Sequence, residues 1–168
     1  MLANSDVHAP ISFNVDFAGG QHRPTTLVFA KGRTAEAIKD ALFNRRTAVY
    51  QGPMLIGEEQ YVRPIYEASL VMKNPNLVIK GNNEVFLQVH NRSDIDFELV
   101  AKNNVDEISI PKSVTLYAHR TVLLRLRGAD SNLKGVKILK LPYMVKNILI
   151  TPEQGLPVIL TVNVEFVN

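Results

Sequence analysis

The sequence predicts an α+β protein in which a short α/β segment is followed by an antiparallel β-sandwich. Three observations lead there. A single amphipathic helical stripe lies near residue 40, between two short apolar runs. Beyond residue 70 the hydrophobic period changes from helical to alternating. The alternating runs are separated by clusters of Asn, Asp, Ser, Gly and Pro that suit turns. With 168 residues, 46% of them hydrophobic, and a mean hydropathy of zero, the chain can bury a real core.

In the first part, Thr25-Thr26-Leu27-Val28-Phe29-Ala30 reads as a short buried strand ended by Gly32. Thr34 is a good helix N-cap, and Glu36 in the first turn complements the helix dipole. Ala37, Ile38, Ala41 and Leu42 form one apolar stripe, and Arg45 and Arg46 close the helix with the right sign. Thr47-Ala48-Val49-Tyr50 is a second strand, stopped by Gly52-Pro53. Glu58 to Arg63 suits a short helix broken near Pro64. Strand, helix, strand is the grammar of an α/β domain. Two strands and one helix cannot offset the entropy of ordering about sixty residues. The segment must therefore lean on the rest of the chain or belong to a larger α/β body.

In the second part, Val85, Leu87 and Val89 alternate with Phe86, Gln88 and His90, and Phe97, Leu99 and Ala101 alternate with Glu98, Val100 and Lys102. Val122, Leu124 and Leu126 form a third such set, and Val158 through Phe166 the clearest of all. Weaker strands fit 77–80, 113–117 and 136–141. About seven short strands in roughly a hundred residues is the pattern of an immunoglobulin-like sandwich, without the Cys-Trp-Cys core of antibody domains. The expected division is 1–64 and 65–168. Asn91-Arg92-Ser93-Asp94 reads as turn chemistry and also fits a glycosylation sequon.

Composition narrows the function. The absence of Cys excludes disulfides and thiolate chemistry. No apolar run approaches the roughly 18 residues of a membrane span, and no export leader is legible. The net charge of +3 is mild. Basic residues gather in the second half with only Tyr117 and Tyr143 interleaved, which argues against a nucleic-acid surface.

Asn4-Ser5-Asp6-Val7-His8 carries the chemistry of interest. In extended backbone Asp6 and His8 share a face. A carboxylate and an imidazole aimed at one point suit Zn²⁺, Mn²⁺ or Fe. The plain alternative is a surface Asp beside a loop His. His22 and Arg23 follow a Gly pair and could hold a phosphate, or could simply anchor the next strand. His90 and His119 read as structural or solvated.

Asn-Ser-Asp-Val-His (4–8), His22-Arg23-Pro24-Thr25-Thr26-Leu27-Val28-Phe29-Ala30, and the run from Ala41-Leu42-Phe43 through Arg45-Arg46-Thr47-Ala48-Val49-Tyr50 resemble the C-terminal end of a PHP-type metal-dependent phosphoesterase. The branch concerned is a bacterial one with a small β-sandwich after the PHP domain. The resemblance covers the whole chain as a C-terminal piece. It implies that 1–64 is a PHP remnant and that Asp6 and His8 match the last metal-binding motif, Asp-x-His. It also implies a divalent metal, Zn²⁺ or Mn²⁺, and a phosphate-ester substrate in intact relatives. The departures are specific. The family's opening His-x-His is missing, the four histidines include no pair at i, i+2, and Ala9 stands where Gly is expected. The expectation is a truncated, inactive fragment, with relatives often exported to the periplasm. The rival expectation is a non-catalytic sandwich module that self-associates through Leu27, Phe29, Ile38 and Leu42.

Overall fold

A computed structural model of the chain describes residues 1–4 and 23–167. The described chain is mainly β, with two helices. No described helix is long and apolar enough to cross a membrane. The chain divides into two compact units, 1–65 with 147–154, and 66–146 with 155–168.

The first unit begins with strand β1 (Thr25–Val28), helix α1 (Ala35–Phe43), strand β2 (Thr47–Gln51) and strand β3 (Met54–Gly57). Thr34 caps α1, its Oγ1 accepting from the Ala37 amide at 3.2 Å. At the other end Arg46 N–H donates to the Ala41 carbonyl and Arg45 N–H to that of Leu42, with Arg45 at φ 56°. This is a Schellman turn with arginine in the position that usually takes glycine.

The turn reverses the chain at once. Phe29 N–H donates to the Arg46 carbonyl at 2.9 Å, and β2 returns antiparallel along β1, from Val28↔Thr47 to Thr25↔Tyr50. The strand–helix–strand pattern is therefore not a parallel crossover, because the helix ends in a tight reversal beside the strand it left. Gly52 at φ 54°, followed by Pro53, turns β2 into β3. A positive φ and then the fixed proline φ suit a type II′ hairpin.

Helix α2 (Glu59–Ser69) runs through Pro64 and does not break there. Its residues 59–65 belong to the first unit and 66–69 to the second. Val62 is fully buried and Tyr66 nearly so, and this burial outweighs the lost proline donor. Phe29 and Tyr61 stack with centroids 5.1 Å apart, and Ala41, Ala48, Leu55 and Ile148 fill the first core.

The second unit holds β4 (Leu70–Met72), β5 (Asn76–Lys80), β6 (Glu84–Asn91), β7 (Phe97–Ala101), β8 (Ile108–Ser109), β9 (Ser113–Leu116) and β10 (Thr121–Gly128). To these it adds most of two long strands, β11 (Gly135–Thr151) and β12 (Gln154–Val167). One sheet has the order β4-β6-β10-β8. The other joins β9 to β7, β7 to β11, and β12 to β5, with β12 and β5 parallel. The alternation read from the sequence is the alternation of burial: Leu87 and Val89, Leu124 and Leu126, and Val158, Leu160, Val162, Val164 and Phe166 point inward. Tyr66 meets Phe97 edge to face at 5.1 Å.

The end of β11 pairs parallel with β3 inside the first unit, at Ile148↔Leu55 and Leu149↔Ile56. A division at residue 64 alone leaves that return of 147–154 out.

Candidate functional site

The approach to the Asp-x-His stretch is held by threonine hydroxyls. Ala3 N–H donates to Thr26 Oγ1 at 2.9 Å, and the Met1 ammonium donates to Thr47 Oγ1 at 3.1 Å. Thr47 Oγ1 in turn donates to the Met1 carbonyl at 2.6 Å and is nearly buried. Asn4 is the last described residue before the stretch. Asp6, His8 and His22 lie outside the described residues. Arg23 is described, and its carbonyl accepts from Thr25 Oγ1 at 2.9 Å. Both flanks of the 5–22 segment therefore attach at β1, one through Thr26 and the other directly ahead of Thr25.

The same unit contains a cleft of about 430 Å³ lined by Met1, Arg45, Thr47, Glu58, Ile150 and Pro152, among others. It is mostly apolar, with one guanidinium and one carboxylate. Gln60 Nε2 donates to Glu58 Oε2 at 2.8 Å. Such a lining can hold an extended apolar group, and among the described residues it presents no nucleophile with a base beside it.

The described residues do not fit a metal. Among them no group of three or more His, Asp or Glu side chains comes together. His90 Nδ1 is 3.1 Å from Thr121 Oγ1, and His119 Nε2 is 2.7 Å from Asp94 Oδ1 on an exposed turn where His119 has φ 56°. Each is engaged locally within the second unit. Shifted carboxyl groups belong to ion pairs: Arg46 beside Asp40 and Lys137 beside Glu107 hold those carboxyls below their usual range. Asn91, read from sequence as part of a turn and a sequon, is fully buried. Its Nδ2 donates to the Ile95 and Leu116 carbonyls, and its Oδ1 accepts from the Ser93 amide and hydroxyl. A burial of zero exposure is the signal that sequence pattern alone does not carry.

Residues 70–161 match the DUF5001 family, described as an Ig-like domain, over more than half of the chain. The chain belongs to this Ig-like family. Among solved structures, it is similar to a two-domain protein from Bacteroides vulgatus containing a predicted PHP-like metal-dependent phosphoesterase. The identity is 30% and the TM-score 0.77, covering 94% of this chain and 44% of that one. The resemblance to a PHP-type protein followed by a sandwich therefore holds, and this Ig-like chain spans less than half of that relative. A protein of unknown function from Porphyromonas gingivalis aligns at 22% identity and a TM-score of 0.40, over 58% of this chain and 46% of that one. No curated protein matches the chain.

Proposed function

We propose that this chain is the part of a PHP-like phosphoesterase that carries the Asp-x-His motif and the Ig-like sandwich, and that it does not hydrolyse phosphate esters by itself. The observation that supports this reading is the 30% identity running through 94% of the chain, across the first unit as well as the sandwich. In this reading Asp6 and His8 correspond to metal ligands of the intact relatives, and His22 and Arg23 to contacts with the substrate anion there. A divalent ion, Zn²⁺ or Mn²⁺, would supply water activation in the relatives. The 168 residues supply too little of such a site, because four histidines include no pair at i, i+2. Two ligands without supporting neighbours hold a metal weakly.

The test is hydrolysis of a generic phosphate monoester with Mn²⁺ or Zn²⁺ added, on the chain and on Asp6→Ala. The expected result is background turnover for both. Metal-dependent turnover that Asp6→Ala abolishes would overturn the claim of inactivity.

A second reading has its own support. On α1, Ile38 (43%), Leu42 (41%) and Phe43 (78%) are exposed, whereas Leu27 and Phe29 are half-buried and Phe29 is stacked on Tyr61. That face of Ile38, Leu42 and Phe43 suits a non-catalytic assembly role, and Leu27 and Phe29 contribute little to it. Light scattering at micromolar concentration tests it: a dimer that Phe43→Glu dissolves supports assembly, and a monomer opposes it.

A further inference from the structure

Strand β10 pairs with β6 along its length, from Thr121↔His90 to Arg127↔Glu84, but with β8 only at Arg127↔Ser109 and Gly128↔Ile108. In an antiparallel ladder, alternate residues turn their N–H and C=O to the same neighbour. The Asn91 amide donates to the Arg120 carbonyl at 3.0 Å, so Arg120, Val122, Leu124 and Leu126 are the residues bonded toward β6. The Ala129 amide donates to the Glu107 carbonyl at 2.9 Å, which puts odd-numbered residues on the β8 side. Thr121, Leu123 and Arg125 thus direct their backbone groups away from β6, past the end of β8. No strand among the described residues pairs with them there.

The interruption has a cause. If β8 continued in register, Pro111 would stand opposite Arg125, and proline has no N–H for the ladder. The Pro111 carbonyl instead accepts from the buried Tyr143 hydroxyl at 3.1 Å, and the chain crosses to β9, which pairs with β7 in the other sheet. A cleft of about 390 Å³ remains, lined by Leu123, Arg125 and Arg127 and by Ser109, Pro111 and Val114. Leu123 is 56% exposed and the Arg125 side chain 67%. Arg125 has one carboxylate near it, Glu84 at 3.4 Å, and Arg127 Nε donates to the Asn82 carbonyl at 3.0 Å. Among the described residues, two guanidinium groups therefore face the cleft with a single carboxylate.

We propose that the open edge of β10 binds an extended acidic peptide segment, added antiparallel along the line that β8 abandons. Backbone bonds to Thr121, Leu123 and Arg125 hold it, and side chains at alternate positions select it. The selected pattern has an acidic residue opposite Arg125 and an apolar residue two positions later, opposite Leu123. A second copy of the chain is the poorer occupant, since pairing two such edges doubles the excess of guanidinium over carboxylate.

The probe is a synthetic peptide, Ser-Thr-Glu-Thr-Val-Thr-Ser, compared with its counterpart carrying Lys for Glu. Binding is read by amide exchange and by fluorescence anisotropy on the full chain. The expected result is slowed exchange of the Thr121, Leu123 and Arg125 amides with the Glu peptide. The exposed substitution Arg125→Glu should then weaken that peptide by on the order of tenfold and favour the Lys peptide. The proposal is overturned by any of three results: no saturable binding at millimolar peptide, equal binding of both peptides, or protection at amides away from β10. Pairing of two chains through this edge, seen by light scattering, also overturns it. Arg125 and Arg127 would then be charges that blunt an edge strand.

Discussion

Arg45 occupies the left-handed region at φ 56°, where a Cβ crowds the following carbonyl. The two bonds of its Schellman turn are both made, so the backbone is right and only the residue is wrong for it. Arg45→Gly is expected to raise stability by about 0.5–1 kcal/mol, net of glycine's greater freedom in the unfolded chain. A denaturant midpoint that falls on this substitution would show that Arg45 holds the turn through its side chain. Asn91 teaches the complementary lesson. Its amide is spent on four partners inside the sandwich, so Asn-Arg-Ser here is a corner lock, and modification would require unfolding the corner. Turn chemistry was legible at this residue. Its full burial was not, because that depends on which strands close over it.

At the scale of elements, Tyr143 on β11 holds the chain between β8 and β9 through the Pro111 carbonyl. Burial pushes its hydroxyl pKa up to about 12 from an ordinary value of 10.0. A folded pKa raised above the unfolded one gives stability that is complete below the unfolded value and is lost as pH rises toward the folded one. The window is therefore pH 10 to about 12, and the loss across it is roughly 2–3 kcal/mol. Tyr143→Phe should cost about 1 kcal/mol at neutral pH for the lost bond, yet lose less than wild type between pH 10 and 12. Equal alkaline losses in urea titrations of the two proteins would refute the assignment.

The elements with clean periodicity were readable: α1 from its stripe and cap, and β6, β10 and β12 from their alternation. Three features were not. β3 follows so closely on Gly52-Pro53 that the turn looked like an end when it is a hairpin. Helix α2 carries a proline that sequence rules treat as a stop. β11 runs on through Pro142 because the strand keeps its other bonds, among them the Lys102 amide to the Pro142 carbonyl at 3.0 Å. Each depends on pairing or burial by residues distant in sequence, which a local breaker does not report.

At the scale of the molecule, the family was written in residues that are close in sequence, and so it could be read there. The Ig-like match over 70–161 agrees with the sandwich, and the 30% identity to the PHP-like two-domain protein agrees with the resemblance read from the sequence. The site was less legible. A metal centre gathers ligands from several strands, and one Asp-x-His cannot supply such a set. Among described residues, only Arg23 of the four candidates can be placed, at the entrance to β1. In the proposed function the chain carries the PHP family's motif without a working centre. The decisive experiment is calorimetric titration of the 168-residue chain with Zn²⁺ and Mn²⁺, beside Asp6→Ala and His8→Ala. No stoichiometric binding is expected at micromolar metal, and the traces of all three proteins should be identical. One tightly bound ion per chain, lost in both variants, would contradict it.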